Sequence, residues 1–334
     1  MSSINIDSKD LIRLQETLEL ATFSIEKTRT LVDFIIESGF PPSDVLPQTV
    51  SLDQMLKKMF NSSDYWSGNS AEGISIPIGC DSKNNIVDLK LGFDTGDYYA
   101  SLLGRPGYGK TVLLHSIICS ASVCYSPNQL QFFLFDNSKV RDFSFYERLP
   151  HVNTISFGVE GGRIQEVLQA IEEELNSRIQ LFRDLGEKTN RVIDSFESFR
   201  LLSDFALPRL LLIVNDFDDN DFYCDDFGRN KAEIEHMLIN IMINGRKFGV
   251  HIILSSVIGR FSPYKGLITK SVTFNSNDCT NNTTRYASGL SIGEAFMNIK
   301  ENGKDGIIKF RCAFSKDYLR FVDFVTTLYS QTFQ

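Results

Sequence analysis

A glycine-rich segment between a predicted strand and a predicted helix constrains this chain more than any other feature of its 334 residues. Residues 98–103 have the composition of a buried strand, and residues 112–118 that of the start of a helix. The residues between them match the pattern G-x-x-x-x-G-K-[S/T]: Gly104, Arg105, Pro106, Gly107, Tyr108, Gly109, Lys110 and Thr111. A strand–loop–helix unit of this kind predicts an anion site at the helix N-terminus.

The side chains of this loop indicate which anion it takes. Its glycines let successive backbone N–H groups point inward and form a nest for phosphate oxygens. Lys110 supplies a mobile cation for the terminal phosphates, and the Thr111 hydroxyl is an oxygen ligand for Mg²⁺. We therefore predict that residues 104–111, with Val112 directly behind them, bind the phosphates of ATP together with Mg²⁺.

Strands and helices alternate along the rest of the chain. The predicted strands are 74–78, 86–91, 98–103, 131–135, 152–157, 210–215, 250–255, 271–274 and 306–310. The long predicted helices are 110–124, 163–185 and 231–246. Short apolar strands separated by helices are typical of an α/β fold with a mostly parallel sheet that helices cover on both faces.

The N-terminal part of the chain has a different pattern. Apolar residues recur at three- and four-residue steps over 8–38, which predicts a helical arm that ends before Pro41. A short helix is predicted at 52–60, and the turn-forming residues 61–64 mark a boundary. We predict a helical arm and linker at 1–62 and the nucleotide-binding domain at 63–334. The arm could pack on the domain, form a coiled-coil stub or dock a protein partner.

Composition narrows the class of protein. Hydrophobic residues make up 42% and charged residues 23%, which are globular values, and the longest apolar run, 210–214, is far too short to cross a bilayer. The N-terminus lacks the features of a secretory signal, and the six cysteines form no C-x-x-C pair. The short apolar run indicates that the chain has no membrane segment. The N-terminus and the cysteine spacing favour a cytoplasmic protein with reduced thiols. The net charge of −8 argues against general affinity for nucleic acid but leaves room for a local basic loop.

A loop of this type works with a second strand that ends in acidic residues, and residues 209–218 contain the only candidate. Asn215 stands where an aspartate is expected to hold Mg²⁺, and Asp216 stands where a glutamate would activate water. We predict that both residues serve the metal and the chemistry, although acids here could simply cap a strand. Because Asn215 has no charge and Asp216 is short, we expect slow hydrolysis. Restoring an aspartate and a glutamate is expected to raise turnover about tenfold or more.

Several further blocks carry a family resemblance over residues 66–310. The blocks are Ile76-Pro77-Ile78-Gly79, residues 125–136, residues 145–152 with Leu149-Pro150-His151, the helix around Arg178, and Gly245-Arg246-Lys247-Phe248-Gly249-Val250-His251. In this order and spacing the chain resembles the motor domain of FtsK/SpoIIIE-type translocases of the FtsK–HerA superfamily.

This resemblance implies a RecA-like domain that forms a hexameric ring and uses ATP to pull double-stranded DNA. It places Asn215 at the Walker B aspartate, Asp216 at the catalytic glutamate and Val257 at a sensor position that is polar in the family. It also makes Arg246 a candidate for contact with nucleotide across a subunit boundary, with structural packing as the alternative.

Three functions fit the sequence. The first is a DNA-translocating ATPase, the second is a degenerate subunit that binds ATP but hydrolyses little, and the third is a protein-export ATPase of the type VII secretion kind. DNA-stimulated turnover would favour the first function, and ATP binding without turnover would favour the second.

Overall fold

A computed structural model of the protein describes residues 45–60, 64–158, 163–203, 207–217, 231–257, 261, 264, 266–276, 284–301 and 304–333. The predicted helical arm at 8–38 lies outside these residues. Within them, no helix is long and apolar enough to cross a membrane.

The described strands form one sheet. They are β1 (Val50–Ser51), β2 (Gly73–Cys80), β3 (Ile86–Gly92), β4 (Tyr99–Leu103), β5 (Leu130–Asp136), β6 (Val152–Phe157), β7 (Arg209–Asn215), β8 (Val250–Ser256), β9 (Lys270–Thr273), β10 (Glu294–Glu301) and β11 (Lys304–Phe314). Their order is β3-β2-β11-β10-β9-β4-β8-β7-β5-β6, and β1 pairs with β11. The run from β9 to β6 is parallel, whereas β9, β10, β11, β2 and β3 pair antiparallel in succession.

Helices lie on both faces of this sheet. The α-helices are α1 (Leu52–Met59), α2 (Lys110–Cys124), α3 (Ile164–Thr189), α4 (Phe196–Leu202), α5 (Lys231–Gly245) and α6 (Leu319–Phe333). Short 3₁₀ helices occupy Ser144–Arg148, Arg246–Phe248 and Thr284–Gly289. Helices α1, α2 and α6 share a core with one face of the sheet, and α3 and α5 share a core with the other.

The α/β fold with its mostly parallel sheet is confirmed. Each predicted strand and long helix corresponds to an element of the structure within a few residues. Sequence reasoning missed β1, β10, α4 and α6. Strand β10 was missed because its apolar residues Ala295, Phe296 and Met297 follow one another without alternation between charged ends. Its pairing with both β9 and β11 becomes evident only in the assembled sheet.

The segment before the predicted boundary at residue 62 is packed on the sheet. Val50 and Ser51 pair with Ala313 and Phe314, and α1 buries Leu52 against the same core as α2. The compact unit that contains the glycine-rich loop begins at Leu46.

A buried arginine connects helix α4 to the amino-terminal edge of the parallel strands. Arg209, at the start of β7, donates hydrogen bonds to the carbonyl oxygens of Ser70 and Ala71 and to the Glu197 carboxylate on α4. Its guanidinium carbon also lies 4.4 Å from the centroid of the Phe196 ring. Hydrogen bonds from most of its donors, including one to a carboxylate, offset the cost of burying this charge.

Candidate nucleotide-binding site

The glycine-rich loop connects β4 to α2 at the carboxyl-terminal edge of the parallel strands. Gly104, Gly107 and Gly109 have φ values of 150°, 79° and 117°, a region that L side chains rarely adopt. Gly109 is also the N-cap of α2 and makes no side-chain cap hydrogen bond. The first N–H groups of α2 therefore remain available to an anion, as the sequence predicts.

The outer side of the loop is held by the residues that follow β9 and precede β10. The Arg105 N–H donates to the Asn275 carbonyl oxygen at 2.9 Å, and the Gly293 N–H donates to the Tyr108 carbonyl oxygen at 3.0 Å. A Cβ at Gly104 would lie 2.6 Å from the Phe274 Cβ. The loop conformation thus depends on contacts with distant parts of the chain as well as on its own glycines.

Lys110 is held within the loop. Its side chain is 7% exposed, and Nζ donates to the carbonyl oxygens of Gly104 at 2.7 Å and Arg105 at 3.2 Å. Burial lowers the pKa of Lys110, while the negative charge of Asp216 raises it by a smaller amount. The ammonium group therefore lies in the concavity of the loop and within electrostatic reach of the acid after β7.

Thr111 and Val112 occupy the next two positions of α2. Thr111 is half-buried in the first turn of α2, the position at which the sequence predicts a metal-ligating hydroxyl. Val112 is 38% exposed, and its carbonyl oxygen accepts a hydrogen bond from the hydroxyl of Tyr318, the residue that precedes α6.

Asn215 and Asp216 follow the predicted strand directly. Asn215 is the last residue of β7 and is buried, whereas Asp216 is exposed and has a φ of 61°. A left-handed conformation at an aspartate costs about 1–3 kcal/mol, and such strain is common in binding sites. The next residue, Phe217, is buried, and its N–H donates to the carbonyl oxygen of Ser255 on β8 at 2.6 Å.

The Asn215 amide has acidic partners that the sequence analysis did not identify. Its Nδ2 donates to Asp136 Oδ1 at 3.0 Å and to Asp142 Oδ2 at 3.3 Å. Asp136 ends β5 and pairs in register with Asn215, and Asp142 lies in the connection from β5 to β6. Burial raises the pKa of Asp142, and the charge of Asp136 adds to that increase. A signal was present, because Asp136 lies in one of the blocks that carry the family resemblance.

These contacts change the expectation for an aspartate at position 215. Its carboxylate would face two others and could donate no hydrogen bond to either. Asn215→Asp alone is therefore expected to lower stability, so the gain in turnover expected from the sequence requires a further change nearby.

The predicted sensor position and the predicted trans-acting arginine occupy different edges of the sheet. Val257 directly follows β8, at the edge that carries the loop. Arg246 is exposed in the 3₁₀ helix that precedes β8, at the opposite edge. Within one chain, the structure therefore brings together Lys110, Asn215 and Asp216 but not Arg246.

The residues near the loop fit the chemistry of Mg²⁺. The Thr111 hydroxyl, the side-chain oxygen of Asn215 and the Asp216 carboxylate are hard oxygen donors at one edge of the sheet. Magnesium retains several waters and takes few protein ligands when it binds with a phosphate substrate, so this small donor set is sufficient.

A buried histidine behind the loop links α2 to the β5–β6 connection. His115 Nδ1 lies 3.0 Å from the Tyr146 hydroxyl, and the ring stacks on Phe145. Burial lowers the pKa of His115 to about 4, and Asp136 offsets a smaller part of that change. The imidazole is therefore neutral at pH 7.

Acid is expected to destabilise the protein through this histidine. Its folded pKa of about 4 is below the unfolded value of about 6.5, so stability present above pH 6.5 falls as the pH falls towards 4. The limiting slope is about 1.4 kcal/mol per pH unit for one such group. Urea unfolding of His115→Gln should show a shallower loss over this range. His236→Gln, at an exposed position on α5, should retain the wild-type slope; equal slopes in all three proteins would contradict this assignment.

Comparison with known proteins identifies relatives over most of the described region. The model of the FtsK/SpoIIIE family matches residues 75–257. The ESX secretion system protein YukB of Bacillus subtilis is 26% identical over 219 residues, which cover 63% of this chain and 14% of YukB. DNA translocase FtsK of Streptococcus pyogenes serotype M1 is 23% identical over 284 residues, which cover 83% of this chain and 33% of that protein.

Solved structures support the fold. ATPases 2 and 3 of EssC from Geobacillus thermodenitrificans superpose with a TM-score of 0.63 at 16% identity, covering 88% of this chain and 53% of that one. The pCW3 conjugation coupling protein TcpA gives a TM-score of 0.59 at 12% identity, covering 85% of this chain and 75% of TcpA. At these identities the likeness shows a shared P-loop ATPase fold. The chain spans 14% of YukB and 33% of the streptococcal FtsK.

Proposed function

Because this chain belongs to the FtsK/SpoIIIE family, we propose that it is an ATP-binding motor subunit that couples slow hydrolysis to the movement of double-stranded DNA through a ring of identical subunits. The observation that carries the proposal is Lys110, whose Nζ is held 2.7 Å from the Gly104 carbonyl oxygen and within electrostatic reach of Asp216. A cation, a loop of backbone donors and an acid thus converge at one edge of the sheet. We propose that the protein acts in the cytoplasm.

Each residue of the site has a distinct part in this proposal. Lys110 exchanges its loop carbonyl partners for the terminal phosphates, a charge-assisted contact that strengthens binding. Thr111 and Asn215 offer oxygens to Mg²⁺, which neutralises charge on the phosphates when it is bound. Asp216 orients the attacking water. Asn215 contributes no negative charge, so hydrolysis at this site is slow in our proposal.

Turnover measured with and without linear duplex DNA tests the proposed substrate. We expect slow basal hydrolysis that duplex DNA stimulates severalfold, and no stimulation in Lys110→Ala. Tight ATP binding without turnover in either condition would contradict the motor function and favour the degenerate ATP-binding subunit.

Protein export is the second candidate function. A DNA translocase and an ESX secretion system protein match this chain at similar identities, 23% and 26%. A solved relative, the pair of ATPases 2 and 3 of EccC from Thermomonospora curvata, is in complex with a signal sequence peptide. Stimulation of hydrolysis by such a peptide but not by duplex DNA would favour export.

Assembly is expected to depend on nucleotide. Ring motors bind ATP between subunits, and Arg246, exposed at the edge opposite the loop, is proposed to reach the nucleotide of a neighbouring subunit. We predict a larger species, a hexamer, when MgATP is present. Light scattering at micromolar concentration should detect it in wild type, and Arg246→Ala should lower its amount. A monomer in both states would count against the ring.

A further inference from the structure

The acidic environment of Asn215 suggests how this site obtains a charge that its Walker B position lacks. One amide nitrogen, Asn215 Nδ2, lies within hydrogen-bond distance of two carboxylates, those of Asp136 and Asp142. The negative charge expected at the end of β7 is therefore present beside it, on residues from the neighbouring strand and its connection.

Asp136 is already committed to the backbone. Its Oδ1 accepts from the Ser138 N–H at 3.0 Å and from Asn215, and its Oδ2 accepts from the Phe143 N–H at 2.9 Å. The side chain is fully buried. These bonds shape the β5–β6 connection, so Asp136 has the role of a structural acid.

Asp142 is the more accessible of the two carboxylates. It is half-buried, and its position is set by its own N–H, which donates to Ser138 Oγ at 3.3 Å, and by Asn215 Nδ2. An acid that an amide orients from the side and that keeps contact with solvent can accept a hydrogen bond from metal-bound water.

A buried serine provides an independent indication of a polar ligand here. Ser255 Oγ is fully buried and has no hydrogen-bond partner among the described residues. Side chains alternate along a strand, and Ile253, Ile213 and Leu134 share one core cluster. Ser255, Asn215 and Asp136, each two residues further on, therefore point to that same face of the sheet. A buried hydroxyl without a partner on this row is typical of a site that water or a ligand completes.

We infer that Asp142, held in place by the Asn215 amide, supplies the carboxylate for magnesium-bound water that the Walker B position does not provide. This inference rests on the proposed binding of MgATP. It gives Asn215 Nδ2 a positioning role beside the proposed role of the side-chain oxygen towards Mg²⁺. It also explains why an amide is suited to position 215, because an aspartate there would place three carboxylates together.

A charge exchange between the two positions tests the inference. The variants are Asp142→Asn, Asn215→Asp and the double variant that carries both changes. Glu147→Gln is the matched control, because Glu147 is an exposed acid in the same connection, paired with Arg141. Binding of a fluorescent ATP analogue is titrated against Mg²⁺ and repeated in EDTA, and thermal unfolding is measured without nucleotide.

Asp142→Asn is expected to lose roughly 10- to 100-fold in Mg²⁺ affinity, as is usual when a partner of a metal site is removed. Its affinity for the analogue in EDTA and its Tm should stay near wild type. Asn215→Asp should lower Tm. The double variant should recover Mg²⁺ affinity, and Tm in part, because positions 142 and 215 again hold one carboxylate and one amide while Asp136 still faces the new carboxylate. Glu147→Gln should match wild type.

Two results would overturn the inference alone: wild-type Mg²⁺ dependence in Asp142→Asn, or an unchanged Tm in Asn215→Asp. A wild-type protein that binds the analogue in neither condition would instead overturn the proposed function, and the inference with it.

Discussion

Lys110→Ala is expected to bind MgATP at least about tenfold more weakly than wild type, a loss of ~1.4 kcal/mol or more. Lys110 is the one cation that the loop holds in its concavity among the described residues, with Nζ bonded to two loop carbonyl oxygens. When the side chain is removed, the phosphates lose a charged donor. Isothermal titration calorimetry measures the difference directly.

The stability of the same variant separates binding from folding. Burial lowers the pKa of Lys110, so the folded protein carries a desolvated charge whose removal relieves a cost. We therefore expect Lys110→Ala to keep the wild-type Tm or to exceed it. Lys90→Ala, at an exposed position on the edge strand β3, should leave ATP affinity unchanged. Unchanged affinity in Lys110→Ala would refute the assignment of the site.

Gly104→Ala is expected to destabilise the protein by about 2–5 kcal/mol, since backbone strain and overpacking both contribute. Its φ of 150° disfavours a side chain, and the added Cβ would lie 2.6 Å from the Phe274 Cβ. The variant should also weaken MgATP binding, because Phe274 adjoins Asn275, whose carbonyl oxygen accepts the Arg105 N–H. Urea unfolding monitored by circular dichroism measures the change in stability.

Gly107→Ala in the same loop is the matched control for Gly104→Ala. Gly107 has a φ of 79°, but a Cβ there would meet no heavy atom within 4 Å. Its cost should therefore be the left-handed strain alone, about 1–2 kcal/mol. Equal losses of stability in the two variants would show that Phe274 yields to the added methyl group and that crowding does not fix the loop.

The end of strand β7 shows the limit of reasoning from sequence at this site. Asn215 and Asp216 are correctly placed after a buried strand, and Asp216 does lie within electrostatic reach of Lys110. Sequence alone could not show that the Asn215 amide donates hydrogen bonds to two carboxylates. A substitution intended to restore a missing charge would therefore add a third acid to a pair of acids.

The antiparallel part of the sheet illustrates the same limit for the fold. Strand β10 has no regular apolar alternation, and the loop contact made by Gly293 depends on where β10 begins. Pairing with β9 and β11 determines that starting point. No local propensity contains this information, because each partner is supplied by a different segment of the chain.

The sequence by itself identified the glycine-rich loop between β4 and α2, since the glycines, Lys110 and the first turn of α2 are neighbours along the chain. It also determined the alternating α/β pattern, because apolar periodicity is a local property. Only the tertiary structure decided what surrounds Asn215. Asp136 and Asp142 precede it by 79 and 73 positions, and the parallel pairing of β5 with β7 brings them within 3.0 and 3.3 Å. Charges that distant in sequence acquire their effect only when strand register places them side by side.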